Sequence, residues 1–192
     1  MKPISIAPTI LAAGLLAAAL GLPAAAAPAG AAADAAFDAF QKVCGDTHAD
    51  YGQVAAASNV EGWRDSDVLA QTMPGVSITD KLARTKSLDG GQATLFATRG
   101  VTKAGFKVAT CTVYADKDAL ATFKERAARW TGFAPHDSDA QTATWHFTNE
   151  GATLKPVADA EVEAAAGGSG MQMLTVKVEN GKALLDYVKI SK

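Results

Sequence analysis

Residues 171–190 read MQMLTVKVENGKALLDYVKI and carry the clearest structural signal in the chain. Two runs with alternating apolar residues flank Asn180-Gly181. Both central residues of a type I′ turn need a positive φ, and Asn-Gly adopts this conformation most readily. A two-residue loop here pairs Val178 with Ala183, Val176 with Leu185, and Leu174 with Tyr187. These six side chains share one face, so the segment predicts an antiparallel hairpin with one buried face and one partly exposed face.

Three further strands are predicted before this hairpin. Their segments are rich in Val, Thr and aromatic residues, as strands usually are: Ala93–Thr98, Phe106–Tyr114 and Thr142–Asn149. A helix is predicted between the second and the third, because apolar residues recur there at helical spacing: Leu120, Phe123, Ala127 and Trp130. Gly132 is placed to end that helix.

The segment before these strands has a helical pattern. Asp34 is a helix N-cap candidate, and apolar residues follow it at helical spacing: Phe37, Phe40, Val43 and Cys44. A second short helix is predicted from about His48 to Ser58, whereas residues 64–88 show no clear period. This order of elements predicts an α+β fold, with an antiparallel sheet of about five strands and helices packed on one face.

The chain begins with the pattern of a secretory signal peptide. A positive Met1-Lys2 precedes an apolar run from Ile10 to Leu22, and small residues follow Pro23. The run has about 13 residues, whereas a membrane-spanning anchor needs roughly 20. We therefore expect residues 1–26 to be a cleaved signal peptide, 27–33 a disordered Ala/Pro leader and 34–192 a single α+β domain, periplasmic or secreted.

Charge and hydropathy restrict the kinds of molecule that this protein is expected to bind. The formal net charge is −2, and no basic stripe is present, so the sequence gives no reason to expect nucleic-acid binding. No later apolar stretch is long enough to cross a membrane. The expected partner is a small molecule or an envelope protein, the expected state a monomer or small homo-oligomer, and no cofactor or metal is predicted.

Cys44 and Cys111 are the two cysteines of the chain. An exported protein meets an oxidising compartment, which favours a disulfide between them. Two buried thiols, or a metal or redox site, are the alternatives. No Cys-x-x-Cys motif is present to support thioredoxin-type chemistry.

Several residues are candidates for a ligand or metal site. Cys44 and His48 stand four apart, which would place both on one helical face, and further histidines and acids could complete a metal shell: His136, His146, Asp137 and Asp139. Gly45 between the first pair and oxidation of Cys44 weigh against this site. Trp63, after a turn, is a candidate for lining a ligand pocket, whereas Trp130 and Trp145 fit a core pattern.

His136-Asp137-Ser138-Asp139 contains the residue types of acid–base catalysis. It follows Pro135 between a predicted helix and a predicted strand, where Asp and Ser commonly form turns. The turn is therefore the favoured interpretation. His146 alternates with Trp145 and Phe147, so it is expected to face the opposite side of the sheet.

Three short patterns resemble a loose class of small exported proteins of Gram-negative bacteria with unassigned function. They are Phe37-x-x-Phe40-x-x-x-Cys44, then Gly62-Trp63, then Cys111-x-Val113-Tyr114. The resemblance covers the order of elements over residues 35–130. It implies a periplasmic location and no particular activity.

Together these features favour a non-enzymatic exported domain. We expect it to bind a small ligand or an envelope protein through the open sheet face or the helix–sheet edge. The alternative is a periplasmic hydrolase or a metal-handling protein that uses His48, His136 and nearby acidic residues.

Overall fold

The computed structural model describes residues 29–68, 73–151, 153–168 and 170–192. The predicted signal peptide, residues 1–26, lies outside these ranges. The prediction of a disordered leader over 27–33 is wrong from residue 29 onward, because Ala29–Phe40 forms the first helix and Ala33 is buried. Alanine is the strongest helix former, and its small side chain lets a helix lie close to a core.

The described residues form four α-helices and nine strands, with several strands in succession between the helices. The α-helices are α1 (Ala29–Phe40), α2 (Tyr51–Val60), α3 (Leu120–Thr131) and α4 (Val162–Gly167). The strands are β1 (Arg64–Asp65), β2 (Val76–Leu88), β3 (Gly91–Thr102), β4 (Lys107–Asp116), β5 (Asp137–Ser138), β6 (Thr142–Glu150), β7 (Thr153–Pro156), β8 (Met171–Glu179) and β9 (Lys182–Ser191). A π-helical turn, Gln41–Gly45, follows α1. Within these ranges, no helix has the length and apolar character needed to cross a membrane.

All strand pairs are antiparallel and belong to one sheet. The strand order is β1-β2-β3-β4-β9-β8-β6-β5, and β7 also pairs with β6. The α+β prediction with an antiparallel sheet is confirmed, but the sheet has nine strands among the described residues, not about five. β1 and β5 have two residues each and β7 has four, which is too short for a period to be visible. β2 is long, but Arg84 and Lys86 stand between Leu82 and Leu88 on the side that packs against the core, so its pattern is mixed.

The predicted C-terminal hairpin is confirmed in register. Val178 lies opposite Ala183, Val176 opposite Leu185, and Leu174 opposite Tyr187. Asn180 and Gly181 have φ values of 52° and 75°, as a type I′ turn requires. The prediction for α3 is also confirmed, because the helix ends at Thr131 and Gly132 follows it with a left-handed φ of 80°.

Aromatic contacts join the first helix to its neighbours in the core. Phe37 of α1 packs against Phe123 of α3, with ring centroids 6.4 Å apart, and Phe40 packs against Tyr187 of β9 at 6.5 Å. All four side chains are buried. The hydrophobic core therefore contains side chains from both α1 and α3 together with alternate residues of the central strands.

The predicted disulfide between Cys44 and Cys111 is confirmed. The two α-carbons are 5.4 Å apart, and both residues are fully buried. The bridge joins the π-helical turn after α1 to the middle of β4, across a sequence separation of 67 residues. It therefore holds the segment that leads into α2 beside the central strands.

Candidate ligand-binding groove

His48 lies in the turn between the π-helical turn and α2, with a positive φ of 51°. Its Nε2 is 3.1 Å from Nδ2 of Asn149 on β6, and both residues line a cavity of about 430 Å³ beside Trp130. The Cys44–His48 metal site is wrong, because the Cys44 sulfur is bonded to Cys111. Cys44 therefore has no thiolate with which to bind a metal beside His48.

Trp63 is buried in the hydrophobic core rather than placed on an open surface. Only 4 % of the surface of Trp63 is exposed. Its backbone N–H donates to the carbonyl oxygen of Ser58 near the end of α2. Its indole nitrogen has no hydrogen-bond acceptor among the described residues. The Gly62-Trp63 turn thus anchors the end of α2 in the core.

The polar segment from His136 to Asp139 forms a strand and a turn. Asp137 lies in β5, which pairs with β6. The Asp139 carboxylate accepts hydrogen bonds from the backbone N–H groups of Gln141 and Thr142, both at 2.7 Å. These bonds hold the pKa of Asp139 below its usual range. The turn interpretation explains Asp139, and the acid–base set is not brought together.

His136 instead meets two residues from elsewhere in the chain. Its Nε2 contacts the Asp159 carboxylate, and its ring stacks on that of His146 with centroids 5.0 Å apart. Asp159 lies in a short 3₁₀ turn before α4, and the sequence reasoning missed it. Burial, reinforced by the neighbouring His136 and opposed by Asp159, lowers the pKa of His146.

A separate cavity of about 330 Å³ opens at the edge of the sheet where α2 begins. We call it the groove. Its lining includes residues of the first turn of α2 and of the adjoining ends of β2, β3, β4 and β9: Asp50, Tyr51, Thr79, Arg99, Gly100, Val101, Lys107, Val108, Ala109, Lys189 and Ser191. Three of these side chains are cationic, although the chain as a whole is slightly acidic.

The strand register explains why the three cations lie around one place. Arg99 of β3 and Lys189 of β9 both lie opposite Ala109 of β4, one on each side. Lys107 is two residues before Ala109 on β4, so its side chain leaves the same face. The small side chain of Ala109 therefore leaves space in the middle of a triangle of positive charge.

Arg99 is fixed on one side of the groove. Its Nε donates to Oδ2 of Asp80 at 2.6 Å, and its guanidinium lies 5.2 Å from the ring centroid of Tyr51. The hydrogen bond to Asp80 raises the pKa of Arg99. Burial, reinforced by Asp80, raises the pKa of Tyr51, so its hydroxyl is a neutral donor. The wall beside α2 thus carries one fixed cation and one phenol.

Unlike Arg99, the two lysines of the groove have no carboxylate partner among the described residues. Neither Lys107 nor Lys189 forms an ion pair with any residue in the described ranges. Asp50 also lines the groove, but its carboxylate accepts a 3.0 Å hydrogen bond from the backbone N–H of Gln53 and caps α2. The groove therefore contains two lysine cations that have no ion-pair partner among the described residues, together with the carboxylate of Asp50.

Sequence reasoning missed the groove, since its cations lie on three strands and only the register brings them together. No known protein family, curated protein or solved structure matches this chain, so its function rests on the geometry alone.

Proposed function

We propose that this chain is an exported, non-enzymatic binding domain that holds a small anionic ligand in the groove. The observation that supports it most is the convergence of Arg99, Lys107 and Lys189 around Ala109, with both lysines lacking a carboxylate partner in the described residues. Like charges placed together repel one another, and an anionic ligand would remove that cost.

The ligand chemistry follows from the donors. Ammonium groups and a guanidinium bind carboxylate or phosphate oxygens through charge-assisted hydrogen bonds. The hydroxyl groups of Tyr51, Thr79 and Ser191 line the same cavity and add neutral donors. A compound with two or three carboxylate or phosphate groups fits this arrangement, because the cations are spread over three neighbouring strands.

The size of the groove favours a small molecule over a macromolecule. A volume of about 330 Å³ is at the lower end for small-ligand sites. Protein partners usually cover a far larger area, and nucleic acids need an extended basic surface. The formal net charge of the chain is −2, so the three cations of the groove do not belong to a generally basic protein.

The location of the protein is part of this proposal. The signal-peptide pattern of residues 1–26 and the resemblance to exported Gram-negative proteins support a periplasmic or secreted domain, and the disulfide is compatible with it. We further propose that the helices pack on one face of the sheet, which would place the groove at the helix–sheet edge beyond α2.

Titration of the exported protein with citrate and with inorganic phosphate tests this function. We expect saturable binding, detected by calorimetry and by backbone NMR shifts around Ala109. Lys107→Gln and Lys189→Gln are each expected to weaken it roughly tenfold, since a hydrogen bond to a charged group contributes about 1.5 kcal/mol.

Lys117→Gln is the matched control. Lys117 is exposed and follows the far end of β4 from Lys107, so its loss changes the net charge equally without touching the groove. The proposal is overturned if neither anion binds saturably, or if the control weakens binding as much as the groove variants.

A further inference from the structure

We propose that His136, His146 and Asp159 form a binding site for a divalent transition-metal ion of the zinc or copper class. The three residues come from three segments: the loop after α3, strand β6 and the 3₁₀ turn before α4. Their ligand atoms all lie within 4.8 Å of one another. The site is separate from the groove, and none of its residues lines that cavity.

The spacing of these atoms suits a small ion after little movement. Zinc binds imidazole nitrogen and carboxylate oxygen at about 2.0 to 2.2 Å, so neighbouring ligands of a tetrahedral site are about 3.4 Å apart. Side-chain rotation of the partly exposed His136 and the exposed Asp159 would close the remaining distance. No backbone change is required of β6.

An unsatisfied nitrogen marks where the ion would bind. His146 Nδ1 is buried and has no hydrogen-bond partner among the described residues. It lies 3.8 Å from Oδ1 of Asp159, which is too far for a hydrogen bond. The contact between His136 and Asp159 satisfies those two groups but leaves the His146 nitrogen unpaired. A metal ion placed among the three would engage all of them.

Backbone hydrogen bonds hold the segments at this place. The backbone N–H of His136 donates to the carbonyl oxygen of Thr144 at 2.7 Å. The backbone N–H of Val157 donates to the carbonyl oxygen of His146 at 2.9 Å. Thus the loop with His136 and the segment leading to Asp159 are both bonded to β6 beside His146. The ligands are positioned by the fold, as a metal site needs.

The type of ligand selects the type of metal. Two imidazoles with one carboxylate suit zinc, copper, nickel or iron, whereas magnesium and calcium prefer sites made of oxygen. Asp159 has a side chain 74 % exposed, so the side of the site beside it faces solvent. Three protein ligands with an open position are typical of sites that take up water or another external ligand, rather than of closed structural sites.

The test uses metal-free exported protein titrated with zinc chloride and, separately, with cobalt chloride. We expect one zinc ion per chain, a raised unfolding temperature, and a visible Co²⁺ absorption typical of nitrogen and oxygen ligands. Changes in the groups that surround metal ligands already cost 10- to 100-fold in affinity, so His146→Ala and Asp159→Asn should each cost at least about 100-fold.

His48→Ala is the matched control, because His48 is the third histidine of the chain and contacts Asn149 instead. It is expected to bind zinc as the wild type does. His146→Gln, with a circular dichroism spectrum compared with that of the wild type, separates loss of a ligand from loss of the fold.

Three results would overturn the site: no saturable zinc binding by the wild type, equal binding by the folded His146→Gln variant, or equal weakening by His48→Ala. Citrate chelates zinc, so the metal titrations are made without it. Lys107→Gln should leave zinc affinity unchanged, which keeps this result independent of the groove.

Discussion

Gly100 of β3 lies directly against the backbone of Ser77 on β2. A Cβ at Gly100 would overlap the carbonyl oxygen of Ser77 and lie 2.7 Å from Cγ1 of Val76. The register of the two strands shifts next to this contact, between Ile78 and Asp80. The absence of a side chain at Gly100 therefore allows β2 to pair along nearly the whole of β3.

Gly100→Ala is consequently expected to destabilise the protein. The added methyl group meets backbone atoms that cannot move without breaking strand pairing, and overpacking of this kind typically costs about 1 to 3 kcal/mol. Urea unfolding measures the loss. Gly167→Ala is the control, because a Cβ there meets nothing within 4 Å. Equal stability of the two variants would contradict the close approach.

Loss of the Cys44–Cys111 bridge is expected to lower the free energy of unfolding by about 4 kcal/mol. The chain-entropy relation gives this value for a closed loop of this length. Alanine at both positions is the appropriate change, since both sites are fully buried. The double variant should unfold identically with and without a reductant, whereas the wild type should lose stability when reduced. An unaffected wild type would show that the bridge contributes little.

Asp186 on β9 should make stability depend on pH. Burial raises its pKa above the ordinary value of 3.8, against the opposing effect of the hydrogen bond donated by the Thr112 hydroxyl at 2.7 Å. A raised folded-state pKa means that the folded protein binds more protons than the unfolded chain between the two values. Stability contributed by this group is therefore full at acidic pH and falls as the pH rises through the raised value.

Asp186→Asn isolates this effect, because its amide oxygen can still accept the hydrogen bond from Thr112. The variant should gain stability relative to the wild type as the pH rises from about 4 to neutrality. Unfolding free energies of both proteins across that range measure the difference. A difference that stays constant with pH would show that the carboxyl is not perturbed.

Ala109→Leu should block the groove without changing its charge. The larger side chain would fill the space between Arg99 and Lys189, so citrate binding should fall at least tenfold while the lysines remain. Ala109→Ser keeps the space and is expected to keep the affinity. Calorimetry on both variants distinguishes a ligand that enters the groove from one that is attracted only to surface charge.

The strands that the sequence predicts are those with one apolar face and one more polar face. β8 and β9 have apolar side chains on a buried face and an Asn-Gly turn between them, so pattern and turn agree. β2 and β3 are joined by Asp89-Gly90, which is also a hairpin turn, since Leu88 lies opposite Gly91. The sequence does not predict this hairpin, because Arg84 and Lys86 interrupt the apolar alternation of β2 between Leu82 and Leu88.

Sites assembled from distant segments could not be predicted in the same way. His136 and His146 are visible as histidines, but Asp159 is one acid among 20 acidic residues, and nothing in its neighbours relates it to β6. Arg99, Lys107 and Lys189 are likewise distant in the sequence. Only the pairing register of β3, β4 and β9 brings them together. The disulfide was predictable, because a chain with two cysteines allows one intramolecular pairing.

The position of β9 between β4 and β8 has a consequence for the order of folding. Strands β1 to β4 and strands β5 to β8 form two stretches of sheet that meet where β9 is inserted. The pairing of Lys107 with Ser191 connects residues far apart in the chain, and such contacts form slowly. The two stretches remain unjoined until β9 has been synthesised and has paired with both, so the groove, whose lining includes Lys189, can form only after that step.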